Sequence, residues 1–461
     1  MSGHKVYKFG GASLADPDSI ATALRLVERG AGRHGVVVVV SAPRGVTDGL
    51  ISIAERAAQL GAEGVDDLAG SVGLRFRTLA RRTIGAGEDL QDFVREADRV
   101  VGELRSILRT VAGSGSATPR QLDTVIAAGE RLSAPLFAAA LRRIGLDAEF
   151  VDAGELIVTD PGHGDAVPDL VTSGERIRRV VGSMLDRGCI PVVPGFVGAT
   201  PCGITTTLGR GGSDFTAAII AHSLESQGVD FFKEVAGVLT ADPDVVVDAQ
   251  HVASISYSEL SELSCFGGKV LQYRASRLLA EGSIPVRIRS AFDPHAEGTA
   301  VVRRHAPEEG IVRAVTSISG LGSVRVGGYG ASRAPVAAVR ELLASGQPAI
   351  RISHASAESE SSLVVVPADR VDEVAADLGR IGEIDVRRGL AIVSVVGDRI
   401  DRDAETIGRL FESIGRSGVA VRAVELGGTG SAIRLVVDET DAARAVRAAH
   451  ALTESVCAAR A

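Results

Sequence analysis

At 461 residues the chain is too long for one compact core, because domains usually hold roughly 100 to 200 residues. A formal charge of −8 at pH 7, with no long run of Lys or Arg, argues against nucleic acid as a partner. Cys189, Cys202, Cys265 and Cys457 show no C-x-x-C spacing and the nine His form no zinc-type cluster, so a reducing cytoplasm and no structural metal are expected; no apolar run approaches the ~20 residues of a membrane span, so no membrane partner is expected either.

Glycine is abundant, Trp is absent and aromatics make up only 3%, which leaves Val, Ile, Leu and Ala to build the core. From the amino terminus, short β-branched runs at 5–9, 36–41, 148–153, 189–196 and 229–235 alternate with helical spacing at 19–30, 50–60, 91–111, 131–144, 172–187 and 214–226. The run from Val36 to Val40 is apolar at every position, as in a strand buried on both faces. Alternation of this kind predicts an α/β domain, a mostly parallel sheet sandwiched by helices. Near residue 300 the elements shorten. Two successive stretches of ~70 residues read strand, helix, strand, strand, helix, which predicts a duplicated βαββαβ module whose small cores must pair with each other or across subunits.

Three strings carry chemistry. In KFGGAS, Lys8 to Ser13, a strand ends at Gly10 and Gly11, whose missing Cβ atoms let backbone N–H groups approach phosphate oxygens beside the Lys8 charge; an ordinary glycine turn is the alternative. In TTTLGRGGSD, Thr205 to Asp214, hydroxyls and glycines precede a helix amino terminus. Arg210 can grip a carboxylate there by two prongs, while Asp214 either caps the helix or works in the site. In FFKEVAGVLTADPD, Phe231 to Asp244, Lys233 and Glu234 end a strand, and the loop that follows covers an adenine or is a solvated Asp-Pro turn. Two weaker pieces, SAPRGVTDGL with Ser41 and Thr47, and AAGERLSA with Glu130 and Arg131 opening a helix, follow buried strands, where open α/β sheets place their ligand crevice.

In this order the strings resemble aspartate kinases of the amino-acid kinase family over most of the chain: KFGGAS, VVVVVSAPRGVTDGL, GERLS, an intact TLGRGGSD, VAGVLTADPD, ISYSELSEL, GGKVLQYR and IPVRIRSAF. The resemblance implies an amino-acid kinase catalytic domain over 1–300 and two ACT regulatory domains over 308–387 and 388–461. It also implies transfer of the γ-phosphoryl group of ATP, with Mg²⁺, to the side-chain carboxylate of aspartate. By position, Lys8, Asp214 and Lys269 would be catalytic, and Thr47, Glu130, Arg210 and Ser213 would hold the amino acid. Lys8, Gly10, Gly11, Ser13, Ser41, Gly211, Gly212, Lys233, Glu234 and Lys269 would face the nucleotide. Lysine or threonine would be the inhibitory ligands, and the ACT pair would join subunits into a homo-oligomer.

The sequence departs from the family pattern at Ala12, where Thr is usual, at Lys233-Glu234 for Thr-Asp, at Ala236 for Asp and at Asp244 for Arg. Two other readings stand beside the first: a kinase for a related amino-acid carboxylate, and an amino-acid-sensing subunit whose catalytic site has decayed. A dinucleotide-dependent dehydrogenase is disfavoured because no G-x-G-x-x-G follows the first strand.

Overall fold

The computed structural model describes residues 3–60, 64–268, 270–293, 295–303, 312–328, 331, 336–344, 347–355, 360–426 and 430–458, which divide into two compact units, 1–237 with 278–300 and 238–277 with 301–461.

The first unit opens with β1 (His4–Phe9) and a 3-10 turn, Gly11–Leu14, followed by α1 (Pro17–Ala31). Asp16 caps α1 by accepting from the Ser19 N–H, with Pro17 preset in the first turn. Next come β2 (Gly35–Val40), α2 (Val46–Leu60), α3 (Val65–Ile84), α4 (Glu88–Ser114), α5 (Pro119–Arg143), β3 (Ala148–Phe150), α6 (Ala153–Leu156), α7 (Leu170–Asp186), β4 (Ile190–Pro194), β5 (Val197–Ala199), β6 (Thr205–Thr207), α8 (Gly212–Ser223) and β7 (Gly228–Lys233).

The chain then contributes β8 (Val238–Leu239), β9 (His251–Val252), β10 (Ser254–Ser256), α9 (Tyr257–Cys265) and α10 (Tyr273–Glu281), and β11 (Val286–Ser290) returns it to the first unit. Six strands of that unit lie in the order β11-β7-β1-β2-β4-β3, every neighbouring pair parallel. The five valines of β2 are fully buried as expected. Val36, Val38 and Val40 join the apolar cluster built with α1 to α5, while the alternation of a strand turns Val37 and Val39 to the face carrying α7 and α8.

The stretch 65–84, to which no element was assigned, is α3. One reading of this unit needs correction: α5 begins at Pro119 rather than near Glu130. A reciprocal capping box sets that start: Thr118 Oγ1 accepts from the Gln121 N–H and Gln121 Oε1 from the Thr118 N–H. Glu130 therefore sits mid-helix. Among the described residues α5 alone is long and apolar enough to cross a membrane, and 94% of its apolar window is buried inside the unit as a core helix.

After β12 (Thr299–Val302), the second unit runs β13 (Ala314–Gly327), α11 (Val336–Ala344), β14 (Ile350–Ala355), β15 (Glu360–Pro367), α12 (Val371–Leu378), β16 (Glu383–Val396), α13 (Ala404–Arg416), β17 (Val421–Glu425), β18 (Ala432–Asp438) and α14 (Ala442–Ala458). Its antiparallel sheet has the order β14-β15-β13-β16-β18-β17. The two 14-residue strands β13 and β16 are shared. The second half of β13, Leu321 to Gly327, pairs with β15 and with Glu383 to Leu390 of β16. Its first half, Ala314 to Ile318, pairs with Ile392 to Val396, the same half of β16 that pairs with β18. Each strand passes from one module to the other at a left-handed glycine, Gly320 at φ 75° and Gly389 at φ 70°.

Candidate active site

The site is built at the carboxyl ends of parallel strands, where the chain, having laid β2, β3 and β4 on one side of β1, crosses to β7 on the other. That reversal opens a crevice in open α/β sheets. The loops leaving these strands are tied together by backbone bonds: Gly10 N–H to the Phe232 carbonyl (3.3 Å), Ser41 N–H to Phe9 (3.2 Å), Arg44 N–H to Gly11 (3.0 Å) and Gly195 N–H to Val40 (2.8 Å). A Cβ on Gly11 would lie 2.6 Å from the Ala42 carbonyl oxygen, so only glycine lets the first and second loops meet.

Lys8 and Lys233 end neighbouring strands and converge on one carboxylate. Lys8 Nζ lies 2.7 Å from Asp214 Oδ1 and Lys233 Nζ 2.8 Å from Oδ2, with Lys8 and Asp214 buried. Asp214 stands in the first turn of α8, yet that helix has no side-chain cap, so the capping alternative is set aside in favour of a role between two cations. Burial works to raise the Asp214 carboxyl, but Lys233 and Lys8 outweigh it and hold it down to about 2. Burial pulls Lys8 below the ordinary lysine range, with the Asp214 charge opposing.

Glu130 is buried on α5, and burial pushes its carboxyl up to about 7 against the Ala42 N–H, its own N–H and the Lys8 charge. Its Oε2 is buried without a hydrogen-bond partner. A buried acceptor left unmet is costly and is suited to a donor arriving with a ligand. The neighbouring Gly129 makes the approach of α5 possible, since a Cβ there would lie 2.7 Å from Ala42 Cβ and 3.1 Å from Val46 Cγ1.

The glycines of the loop between β6 and α8 adopt left-handed conformations, φ 73° at Gly209 and 71° at Gly211, and Arg210 between them is exposed. Ser213 is buried against Gly195, where a Cβ would lie 2.5 Å from Ser213 Cβ, and Gly212 lies under Phe196. Ser13 is buried on the 3-10 turn, Ser41 is half-buried after β2 and Thr47 is half-buried in the first turn of α2. Glu234 pairs with Arg44 on the surface, so it engages the second loop. Lys269 lies outside the described residues.

Sequence reasoning overlooked Phe196, a bulky residue at φ 70°, held there by Thr216 Oγ1, which accepts its N–H (3.0 Å) while donating to the Gly212 carbonyl (3.1 Å), and by its own carbonyl accepting from the Leu208 N–H (2.9 Å). Strain of this kind persists only where the surroundings over-determine it. Nothing in the string CIPVVPGF marks the position, because phenylalanine has no preference for that conformation.

Residues 4–290 match the amino acid kinase family and residues 393–452 match the ACT domain, and the chain belongs to the amino acid kinase family. It is 31% identical over 466 residues to the chloroplastic bifunctional aspartokinase/homoserine dehydrogenase 2 of Zea mays, covering 96% of this chain and 50% of that protein. It is 32% identical over 304 residues to the lysine-sensitive aspartokinase 3 of Escherichia coli (strain K12), covering 66% and 65%. The chain thus spans about half the length of the bifunctional plant relatives it matches. Among solved structures it is similar to E. coli aspartokinase III in complex with aspartate and ADP in the R-state, with a TM-score of 0.83 and 26% identity over 97% of this chain and 99% of that one. For the T-state of the same enzyme with lysine and aspartate the TM-score is 0.70.

Proposed function

We propose that this chain is an aspartate kinase, transferring the γ-phosphoryl group of ATP to the side-chain carboxylate of L-aspartate to give 4-phospho-L-aspartate. The observation that carries the reading is the Lys8, Asp214, Lys233 cluster at the sheet crevice, with the unmet Glu130 carboxyl beside it. A carboxylate oxygen of aspartate attacks the γ-phosphorus, the bond to the bridging oxygen breaks and ADP leaves. An ionised carboxylate needs no base, so positioning and charge neutralisation suffice. Lys8 and Lys233 supply positive charge where the phosphoryl group passes, and Asp214 keeps these two cations together. The Gly10 and Gly11 amides, Ser13, Ser41, Gly211 and Gly212 receive phosphate oxygens.

Glu130 takes the α-ammonium of aspartate and Arg210 a carboxylate, with Thr47 and Ser213 completing the grip. Both Asp214 oxygens are engaged by lysines, so Mg²⁺ enters on the phosphate oxygens of ATP as part of the substrate. Aspartate as the acceptor is supported by the solved relative that holds aspartate and ADP. The duplicated modules support control by an end-product amino acid, lysine or threonine, and assembly of subunits through the ACT pair. Free Cys189, Cys202 and Cys265 fit a reducing compartment such as the cytoplasm.

The test is ADP release from Mg-ATP across a panel of amino acids and dicarboxylates. Release that depends on L-aspartate and is lost in Lys8→Ala supports the reading, and release driven equally by another acid, or retained in Lys8→Ala, refutes it.

A further inference from the structure

We propose that Asp123 is a positioning residue that sets the spacing between the two halves of the amino-acid grip, Glu130 and Arg210; the proposal rests on the reading that these two residues hold the substrate amino acid. Asp123 lies on α5 seven residues before Glu130 and is 1% exposed. At 3.6 residues per turn, seven residues return to the same helix face within ~20°, about 10 Å along the axis. One face of α5 thus carries a ligand carboxyl at one end and a buried carboxylate at the other.

The Asp123 carboxylate binds groups on two other segments. Oδ1 accepts from Thr207 Oγ1 at 2.5 Å and from the Gly164 N–H at 3.1 Å, and Oδ2 lies 2.7 Å from His163 Nδ1, a contact that requires the proton on Nδ1. Thr207 is the last residue of β6, three residues before Arg210. The Leu208 N–H bonds the Phe196 carbonyl at 2.9 Å, so little freedom remains between Thr207 and the glycine loop. The loop at 159–168 closes on the same strand, with the Ala166 N–H on the Thr207 carbonyl (2.9 Å) and Thr159 Oγ1 2.6 Å from Thr206 Oγ1.

A carboxylate buried this deeply is tolerated only because its oxygens are met by directed donors. Those bonds determine the register of β6 against α5 more narrowly than apolar packing would. Because Arg210 leaves from β6 and Glu130 from α5, that register is the distance across the grip.

The experiment measures aspartate KM, ATP KM, kcat and Tm in the full chain for Asp123→Asn, Thr207→Val, Thr207→Ser and, as a control on the underlying reading, Arg210→Ala. A displacement of order 1 Å at a binding group weakens catalysis up to about a hundred-fold, so an increase in aspartate KM of about ten-fold or more is expected for Thr207→Val and Asp123→Asn. ATP KM should stay within about two-fold, and Thr207→Ser, which restores the hydroxyl, should return aspartate KM to near the parent value. An unchanged aspartate KM in Thr207→Val, a parallel rise in both KM values that follows the fall in Tm, or no rescue by Thr207→Ser overturns the proposal. If Arg210→Ala raises aspartate KM while Thr207→Val does not, the positioning role alone fails; if Arg210→Ala leaves it unmoved, the grip itself is misplaced and the proposal falls with it.

Discussion

A buried lysine, Lys8, and a half-buried one, Lys233, sharing the buried Asp214 carboxylate make the centre of the site sensitive at single residues. Asp214→Asn leaves Lys8 and Lys233 facing each other with no anion between them, and removing one member of a buried ion cluster costs roughly 3 to 5 kcal/mol. Both a lower Tm and a kcat reduced by about a hundred-fold or more are expected, the latter measured as ADP release. With its carboxyl held at about 2, Asp214 contributes stability that is complete above about pH 4 and is lost only as pH falls toward 2. Glu130 has the opposite sign. Its carboxyl, at 4.5 in an unfolded chain and about 7 here, favours folding fully below pH 4.5, and that contribution is lost as pH rises through 7, roughly 3 kcal/mol in all. Glu130→Gln should therefore melt at a higher temperature than the parent at pH 8 and at a similar one at pH 5. Because the ionised form receives the ammonium, kcat/KM for aspartate should rise with pH through about 7 in the parent and be flat in Glu130→Gln. A profile unchanged by that substitution would remove Glu130 from the grip. The lysines, glycines and Asp214 were legible in the sequence as local strings; the junction of Lys233 with Asp214 was not, because it needs the end of β7 brought against the first turn of α8.

The elements show where local pattern reading ends. Strand β2 was plain, since five consecutive valines suit only a strand buried on both faces. Helix α3 was hidden by Gly70 and Gly73 inside it, which weaken helical periodicity; Gly73 is needed because a Cβ there would lie 3.1 Å from Val101 Cγ2 on α4. The start of helix α5 is marked by Thr118, Pro119 and Gln121, well before the GERLS string at Glu130, where the sequence reading places a helix start. Gly129→Ala tests how closely α5 must approach the second loop. In an open helix alanine would gain roughly 1 kcal/mol over glycine, whereas here overpacking against Ala42 and Val46 costs roughly 1 to 3 kcal/mol. A lower Tm and a raised aspartate KM are expected, and a stabilised, fully active variant would show that the loop yields without consequence.

On the scale of the whole molecule, the sequence showed two repeated modules but not how they are joined, because strand exchange depends on which half of a long strand pairs with which neighbour. The string VAGVLTADPD illustrates a second hidden arrangement: within the second unit, its Ala241, with Val246 two residues beyond its end, packs in the apolar cluster of α13 and α14, and its Thr240 Oγ1 lies 2.8 Å from His450 Nε2. Ala314–Ile318 completes the sheet of the module that begins at Leu390, so a fragment of residues 388–461 lacks a strand and exposes a sheet edge. Such a fragment should show no cooperative thermal transition by circular dichroism, whereas residues 312–461 should; a cooperative melt of monomeric 388–461 would mean the exchanged strand is dispensable. The reading of the molecule as an aspartate kinase is tested most directly by incubating the protein with Mg-ATP, L-aspartate and hydroxylamine, which traps an acyl phosphate as its hydroxamate. Aspartyl hydroxamate formed in step with ADP, and absent with Lys8→Ala, is the expected result; ADP release without hydroxamate, or hydroxamate formed from another acid and not from aspartate, would contradict it.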